Sequence, residues 1–177
     1  MRATRQLQDA GVENPRLDAG VLLQHVWGFS TVELFNNLHV EMDCPVQNRF
    51  LKLVERRAKR EPLQYLTGKQ EFMSLEFHVS PDVLIPRGDT EILVEEGLGL
   101  ISRHGFRRCA DVGTGSGAIA CSIAHYTDVT VWATDISPRA LAVARRNAAA
   151  TGVAHRVDFL HGDLLEPLAA AGIRVWH

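Results

Sequence analysis

The sequence predicts an α/β fold: an open parallel β-sheet with helices packed on it, preceded by a small α-helical domain and a β-hairpin linker. Three observations carry that expectation. From Arg107 onward, apolar runs of strand length alternate strictly with helical stretches. At the first junction stands Asp111-Val112-Gly113-Thr114-Gly115-Ser116-Gly117-Ala118, a glycine turn of the kind that opens a parallel strand onto a ligand. Upstream, the first third of the chain reads as helices that begin at proline or stop at glycine.

Residues 2–10 read as a short helix ended near Gly11. Pro15 opens a second, with Leu17, Val21, Leu22 and Val26 down one side and a stop at Gly28. Ser30 is a good N-cap for a third, bearing Val32, Leu34 and Phe35. Residues 45–60 form the clearest helix, with Val46, Phe50, Leu53 and Val54 at helical spacing. Its other faces carry Arg49, Lys52, Arg56, Arg57, Lys59 and Arg60, either a solvated surface or a docking surface for a large acidic partner. Residues 70–73 and 75–79 alternate as a hairpin through Ser74. Asp89 or Thr90 is placed to cap a helix running to about Arg103 that buries Ile92, Leu93, Leu98 and Ile101. A strand at 107–110, a helix at 116–126, a strand at 129–134, a helix at 138–150 and a strand at 157–160 complete the pattern. Strands joined by helices lie parallel, with right-handed crossovers. The expected division is a helical domain over 1–69, a hairpin linker over 70–80 and a sheet domain over 81–177.

With 177 residues, 46% of them hydrophobic, the chain has material for one ordinary core or two small ones. A net charge of −2 argues against general affinity for nucleic acid, and no direct nucleic-acid contact is expected. No apolar run reaches bilayer length and the first residues lead into a polar helix, so a cytoplasmic protein without membrane association is expected. Cys44, Cys109 and Cys121 have no metal-ligand spacing and cannot all pair, which fits reduced thiols. The eight histidines are scattered, and no metal site is expected.

Gly113-x-Gly115-x-x-Ala118 also satisfies the dinucleotide fingerprint, so an NAD-dependent oxidoreductase stands as an alternative. Asp111 before the first glycine and Asp163 after the third strand weigh against it, while Asp135 at the end of the second strand serves the ribose of either cofactor. A cofactor with an amino-acid tail, a ribose and an adenine, but no phosphates, suits acids at those places. S-adenosylmethionine is such a cofactor. It is expected to lie across Gly113, Thr114, Gly115, Ser116 and Gly117, with its ribose on Asp135 and its adenine near Asp163 and Leu164. Taken alone, Asp135 reads equally as a cap for the helix that begins near Ser137.

Glu61-Pro62-Leu63-Gln64-Tyr65-Leu66-Thr67-Gly68, Val83-Leu84-Ile85-Pro86-Arg87, Thr90-Glu91 and the glycine turn closely resemble the HemK/PrmC family. The resemblance runs in order through nearly the whole chain, and the Pro-Leu-Gln-Tyr-Leu-Thr-Gly segment is its most specific part. It implies a Rossmann-like class I methyltransferase sheet. It also implies S-adenosylmethionine-dependent methylation of the glutamine side-chain amide in the Gly-Gly-Gln loop of class I peptide chain release factors, which would be the protein partners. Arg87 and Thr90 would help close the pocket over the donor. Gly88-Asp89 stands where the release-factor branch usually has Pro-Glu. The family's Asn-Pro-Pro-Tyr loop, which grips the acceptor amide, does not occur in these residues. The sheet is therefore expected to be incomplete, with Cys109-Ala110-Asp111-Val112 as an edge, no catalytic residue assignable, and negligible methyl transfer by the 177 residues alone. A non-catalytic release-factor-binding fragment and a ribosomal-protein glutamine methyltransferase are the other readings of the resemblance.

Overall fold

The computed structural model describes residues 2–37 and 40–173, and the chain divides into two compact units, Met1–Thr67 and Gly68–His177. Residues 174–177, which follow the last predicted strand and its loop, lie outside the described residues.

The first unit is helical: α1 (Arg2–Asp9), α2 (Pro15–Trp27), α3 (Thr31–Asn36), α4 (Cys44–Ala58) and α5 (Leu63–Thr67). Pro15 starts α2, and Gly28 ends it in the left-handed conformation with its N–H on the Gln24 carbonyl. Ser30 and Glu33 close a reciprocal capping box on α3. Leu7, Val12, Ala19, Leu22, Val26, Phe50, Val54 and Leu66 form the core. Leu17, predicted on the buried side of α2, is instead 64% exposed. The buried stripe runs through Asp18, Ala19, Leu22 and Val26, rotated by one residue, because the Asp18 carboxylate turns inward to α4. There it accepts from Arg57 Nε at 2.6 Å. Arg57 is thus withdrawn from the basic face of α4, and Arg56 is occupied by an ion pair with Glu61.

The second unit begins with a hairpin, β1 (Lys69–Phe72) and β2 (Leu75–His78). Met73 and Ser74 form its tight turn with positive φ at both positions, which the handedness of a two-residue hairpin requires. Glu91 Oε1 accepts from the Met73 N–H at 2.6 Å and Tyr126 Oη donates to the Met73 carbonyl at 2.6 Å, so the strained turn is held from both sides. The hairpin expected as a linker over 70–80 is a packed part of this unit, because Phe72 and Phe77 are buried in its core.

Helix α6 (Gly88–His104) starts before either predicted cap. Arg87 holds the cap position, and Asp89 and Thr90 lie in the first turn. Ile92 and Leu93, predicted as buried, are exposed. Val94, Leu98 and Ile101 share one stripe at i, i+4 and i+7, so that face enters the core and turns the two preceding residues outward.

The remaining elements are β3 (Arg108–Val112), α7 (Ala118–Tyr126), β4 (Thr130–Asp135), α8 (Pro138–Ala150), β5 (Val157–His161) and α9 (Glu166–Ala170). The strands form one parallel sheet in the order β3-β4-β5, with Asp111 beside Ala133 and Asp135 beside His161. Among the described residues β3 pairs on one side only, as an edge. Ala118, Ala120, Ile123 and Ala124 of α7 and Ala148 of α8 pack with Val131, Ala133 and Val157. The alanines among them let the helices lie close to the sheet. The predicted helix start at Ser116 shifts to Ala118, because residues 114–117 form a turn in which the Gly117 N–H donates to the Thr114 carbonyl at 2.8 Å.

Candidate functional site at the carboxyl edge of the sheet

Three strands end side by side, and the loops that leave them meet around Asp135. Asp111, still within β3, is buried, and its Oδ2 accepts from Thr114 Oγ1 at 2.6 Å and from the Ala120 N–H at 3.2 Å. Burial pushes its carboxyl above the ordinary carboxylate value, opposed in part by those two bonds. Thr114 therefore points inward, and Asp111 braces the turn from below. The Gly113 and Thr114 N–H groups both donate to the Thr134 carbonyl at 2.9 Å. The Gly115 N–H donates to Asp135 Oδ2 at 2.8 Å, while Asp135 Oδ1 accepts from the Ser137 N–H at 2.8 Å. Asp135 thus ties the glycine turn to the start of α8, whose first turn Ser137 caps through the Ala140 N–H.

This allotment bears on the ligand chemistry. A pyrophosphate needs free backbone N–H groups at the turn and at the helix start. Here the amides of Gly113, Thr114, Gly115 and Gly117 are already donating within the protein, and the carboxylate at the edge is that of Asp135. The edge is an acceptor site, suited to hydroxyl and ammonium donors. The glycines divide as well. A Cβ on Gly113 or Gly115 would meet nothing within 4 Å, whereas one on Gly117 would meet Ala144 Cβ at 3.0 Å. The first two leave space above the turn, and Gly117 lets the turn sit on α8.

The loop after β5 is pinned to the end of β4. The Gly162 N–H donates to the Asp135 carbonyl at 3.1 Å, and Thr134 Oγ1 donates to the Leu164 carbonyl at 2.8 Å. A Cβ on Gly162 would lie 2.5 Å from Pro167 Cγ, so this position admits only glycine. Leu164 has φ +44 and is 65% exposed, and Asp163 beside it is exposed. Ile136, next to Asp135, is 68% exposed and has its carbonyl 3.0 Å from His161 Nε2. Apolar surface held out beside carboxylates suits a flat ring that also carries hydrogen-bond donors.

Residues 1–68 match the PrmC N-terminal domain family and residues 109–173 match the Methyltransferase domain family. The release factor glutamine methyltransferase of Moorella thermoacetica is 51% identical over 167 residues, which cover 94% of this chain and 59% of that protein. That of Burkholderia pseudomallei is 49% identical over 133 residues, which cover 75% of this chain and 47% of that protein. The chain belongs to the PrmC family. It spans little more than half the length of these relatives. Among solved structures, an RNA methyltransferase from Salinibacter ruber in complex with S-adenosyl-L-homocysteine is 30% identical at a TM-score of 0.41, a partial likeness over 46% of this chain and 52% of that one. The second unit of this PrmC-family chain has the Rossmann-like class I methyltransferase fold, in the part that β3, β4 and β5 make up.

Of the residues predicted to meet the cofactor, Asp135 is the last residue of β4, and Gly113, Thr114, Gly115, Ser116, Gly117, Asp163 and Leu164 lie in the loops at this edge. Thr114 and Ser116 are buried, so their side chains face the protein. Arg87 and Thr90 sit at the start of α6, joined to each other by the Thr90 N–H on the Arg87 carbonyl at 3.0 Å rather than to the glycine turn. Sequence reasoning missed Ile136. The signal was an apolar residue between a strand-ending acid and a helix cap, where no helical or strand periodicity calls for one. It also missed Asn147, which carries no motif. Among the described residues no cluster of His, Cys, Asp and Glu could hold a metal, and no helix is long and apolar enough to cross a membrane.

Proposed function

We propose that the carboxyl edge of β3–β5 binds S-adenosylmethionine, and that the chain carries the donor site of an enzyme methylating the glutamine amide in the Gly-Gly-Gln loop of class I peptide chain release factors. The observation that carries this reading is the allotment of the turn: the amides of Gly113, Thr114, Gly115 and Gly117 are committed within the protein, and the half-buried Asp135 carboxylate stands at the edge beside them. In this reading the ribose hydroxyls donate to Asp135, the adenine amino group donates to Asp163, and Ile136 and Leu164 flank the ring. The space above Gly113 and Gly115 receives the amino-acid tail. Bound there, the sulfonium presents an electrophilic methyl group. An amide nitrogen is a weak nucleophile, so transfer depends on positioning the acceptor, and we assign none of these residues to that task.

Calorimetric titration of the chain with S-adenosylhomocysteine and with NAD tests the donor site. Binding of the first alone is expected, and Asp135→Ala should weaken it at least tenfold, since a hydrogen bond to a charged group contributes roughly 1.5–3 kcal/mol. Comparable binding of NAD would overturn the reading.

The N-terminal unit is read as the part that recognises the release factor. In its support, a groove of about 780 Å³ between α2 and α3 is lined by Leu17, Val21, Leu34 and Phe35. Leu17→Ser and Phe35→Ser should reduce capture of a purified release factor with helicity unchanged; undiminished capture by both variants would remove this face from recognition. Charge reversal at Arg57 is the poorer probe, because that residue is paired with Asp18.

A further inference from the structure

Asn147 of α8 is fully buried, and its carboxamide makes three hydrogen bonds to two distant segments. Oδ1 accepts from the His78 N–H at 2.7 Å, and Nδ2 donates to the His78 carbonyl at 2.9 Å and to the Ser116 carbonyl at 2.8 Å. His78 ends β2 and faces Lys69 of β1 across the hairpin. The carboxamide stands where the peptide of a neighbouring strand would, giving one acceptor and one donor to a single residue. Its second N–H reaches the peptide unit Ser116–Gly117, whose own N–H donates to the Thr114 carbonyl at 2.8 Å. Three residues earlier on the same helix, Ala144 lies against Gly117. Helix α8 therefore grips the glycine turn at two points on one face, and one of them is shared with the hairpin.

We propose that Asn147 is a positioning residue of the donor site, which couples the last residue of the hairpin to the Ser116–Gly117 peptide. On the reading of this turn as the donor turn, the hairpin then helps to set donor affinity. Only an asparagine meets the three demands here. Aspartate lacks both donors and faces two carbonyl oxygens with a carboxylate; leucine meets none of the demands; glutamine carries the right groups one methylene too far out.

Amide hydrogen exchange on the full chain, without ligand, tests the coupling. The Val131 N–H, bonded to the Arg156 carbonyl at 2.9 Å in the sheet, serves as the reference. Asn147→Asp should accelerate exchange at both His78 and Gly117 by roughly tenfold or more relative to Val131, with Asn147→Gln between it and the wild type. Acceleration at His78 alone would mean that Asn147 serves only the hairpin, and equal acceleration of all three amides would reduce it to a packing residue. Either result overturns the proposal. Should Asn147→Asp fail to fold, Asn147→Gln carries the same comparison. S-adenosylhomocysteine should also slow exchange at His78 in the wild type and lose that effect in the variant, because coupling is reciprocal. A wild type that fails to bind S-adenosylhomocysteine would remove the donor reading, while the ligand-free exchange pattern would still decide the coupling.

Discussion

The N-terminal unit holds three exposed apolar side chains together on two successive helices, whereas the second unit, which also exposes Ile92, Leu93, Ile136 and Leu164, gathers polar side chains in its interior around one turn. Leu17, Val32 and Phe35 stand out from α2 and α3, where the small core has no use for them. Asp111, Thr114, Ser116, Thr134 and Asn147 are buried around one turn, where they bond to one another and to the backbone. Both departures are informative, because an apolar surface patch and a buried polar group each cost free energy that function has to justify. The first is the face proposed above to meet a release factor. The second marks a cleft whose shape is held rigid by its own hydrogen bonds.

The largest expected effect separates two glycines of that cleft. Gly117→Ala, with φ +77 and Ala144 Cβ at 3.0 Å from the new methyl, should lose about 2–4 kcal/mol of stability in urea unfolding. Gly115→Ala, with φ +54 and open space, should lose only about 1–2 kcal/mol and instead lower the affinity for S-adenosylhomocysteine. Equal stability losses would erase the distinction between a turn glycine that serves packing and one that leaves room for a ligand.

In the N-terminal unit the corresponding probe is the inward-facing ion pair of Asp18 and Arg57, which are far apart in sequence. Asp18→Ala should destabilise by about 2–3 kcal/mol, less than a fully buried pair because Arg57 keeps 18% of its side chain exposed. Glu61→Ala, which breaks the more exposed pair with Arg56, should cost under about 1 kcal/mol. Equal costs would show that Asp18 turns inward for reasons other than Arg57.

The pH dependence of stability sharpens the interior side of the comparison. Burial raises the Asp111 carboxyl above its ordinary value of 3.8, so the folded chain holds that proton to higher pH than the unfolded chain. Its contribution favours folding below the ordinary value and is withdrawn as pH climbs through the raised one. Asp111→Asn should lack that fall in a plot of Tm against pH. A variant curve parallel to the wild type would show that Asp111 is not the group responsible.

The smallest effect is chemical. The Cys121 thiol is pushed up to about 12 by burial in the second core, while Cys44 is exposed at the start of α4. Iodoacetamide near neutral pH should label Cys44 in the native chain and Cys121 only after unfolding. Early labelling of Cys121 would mean that the second core opens more readily than its packing implies.

The positions of the elements were legible in the sequence, because what starts and stops them lies within a turn or two. Pro138 at the front of α8, Gly28 behind α2, the Ser30–Glu33 pair and the glycine turn all act on neighbours close in the chain. Asp135 was legible for the same reason, as an acid at the end of an apolar strand. What only the tertiary structure decided is which side each helix turns inward and where each polar group spends its bonds. Both α2 stripes, one through Leu17 and one through Asp18, satisfy helical periodicity, and a partner 39 residues away selects the second. Asn147 finds His78 across 69 residues and Ser116 across 31. Ile136 could be recognised as site surface only once the loops around it were in place. Periodicity records a preference for burial, but the cost of burying a polar group depends on the partner that meets it, and packing alone brings that partner near.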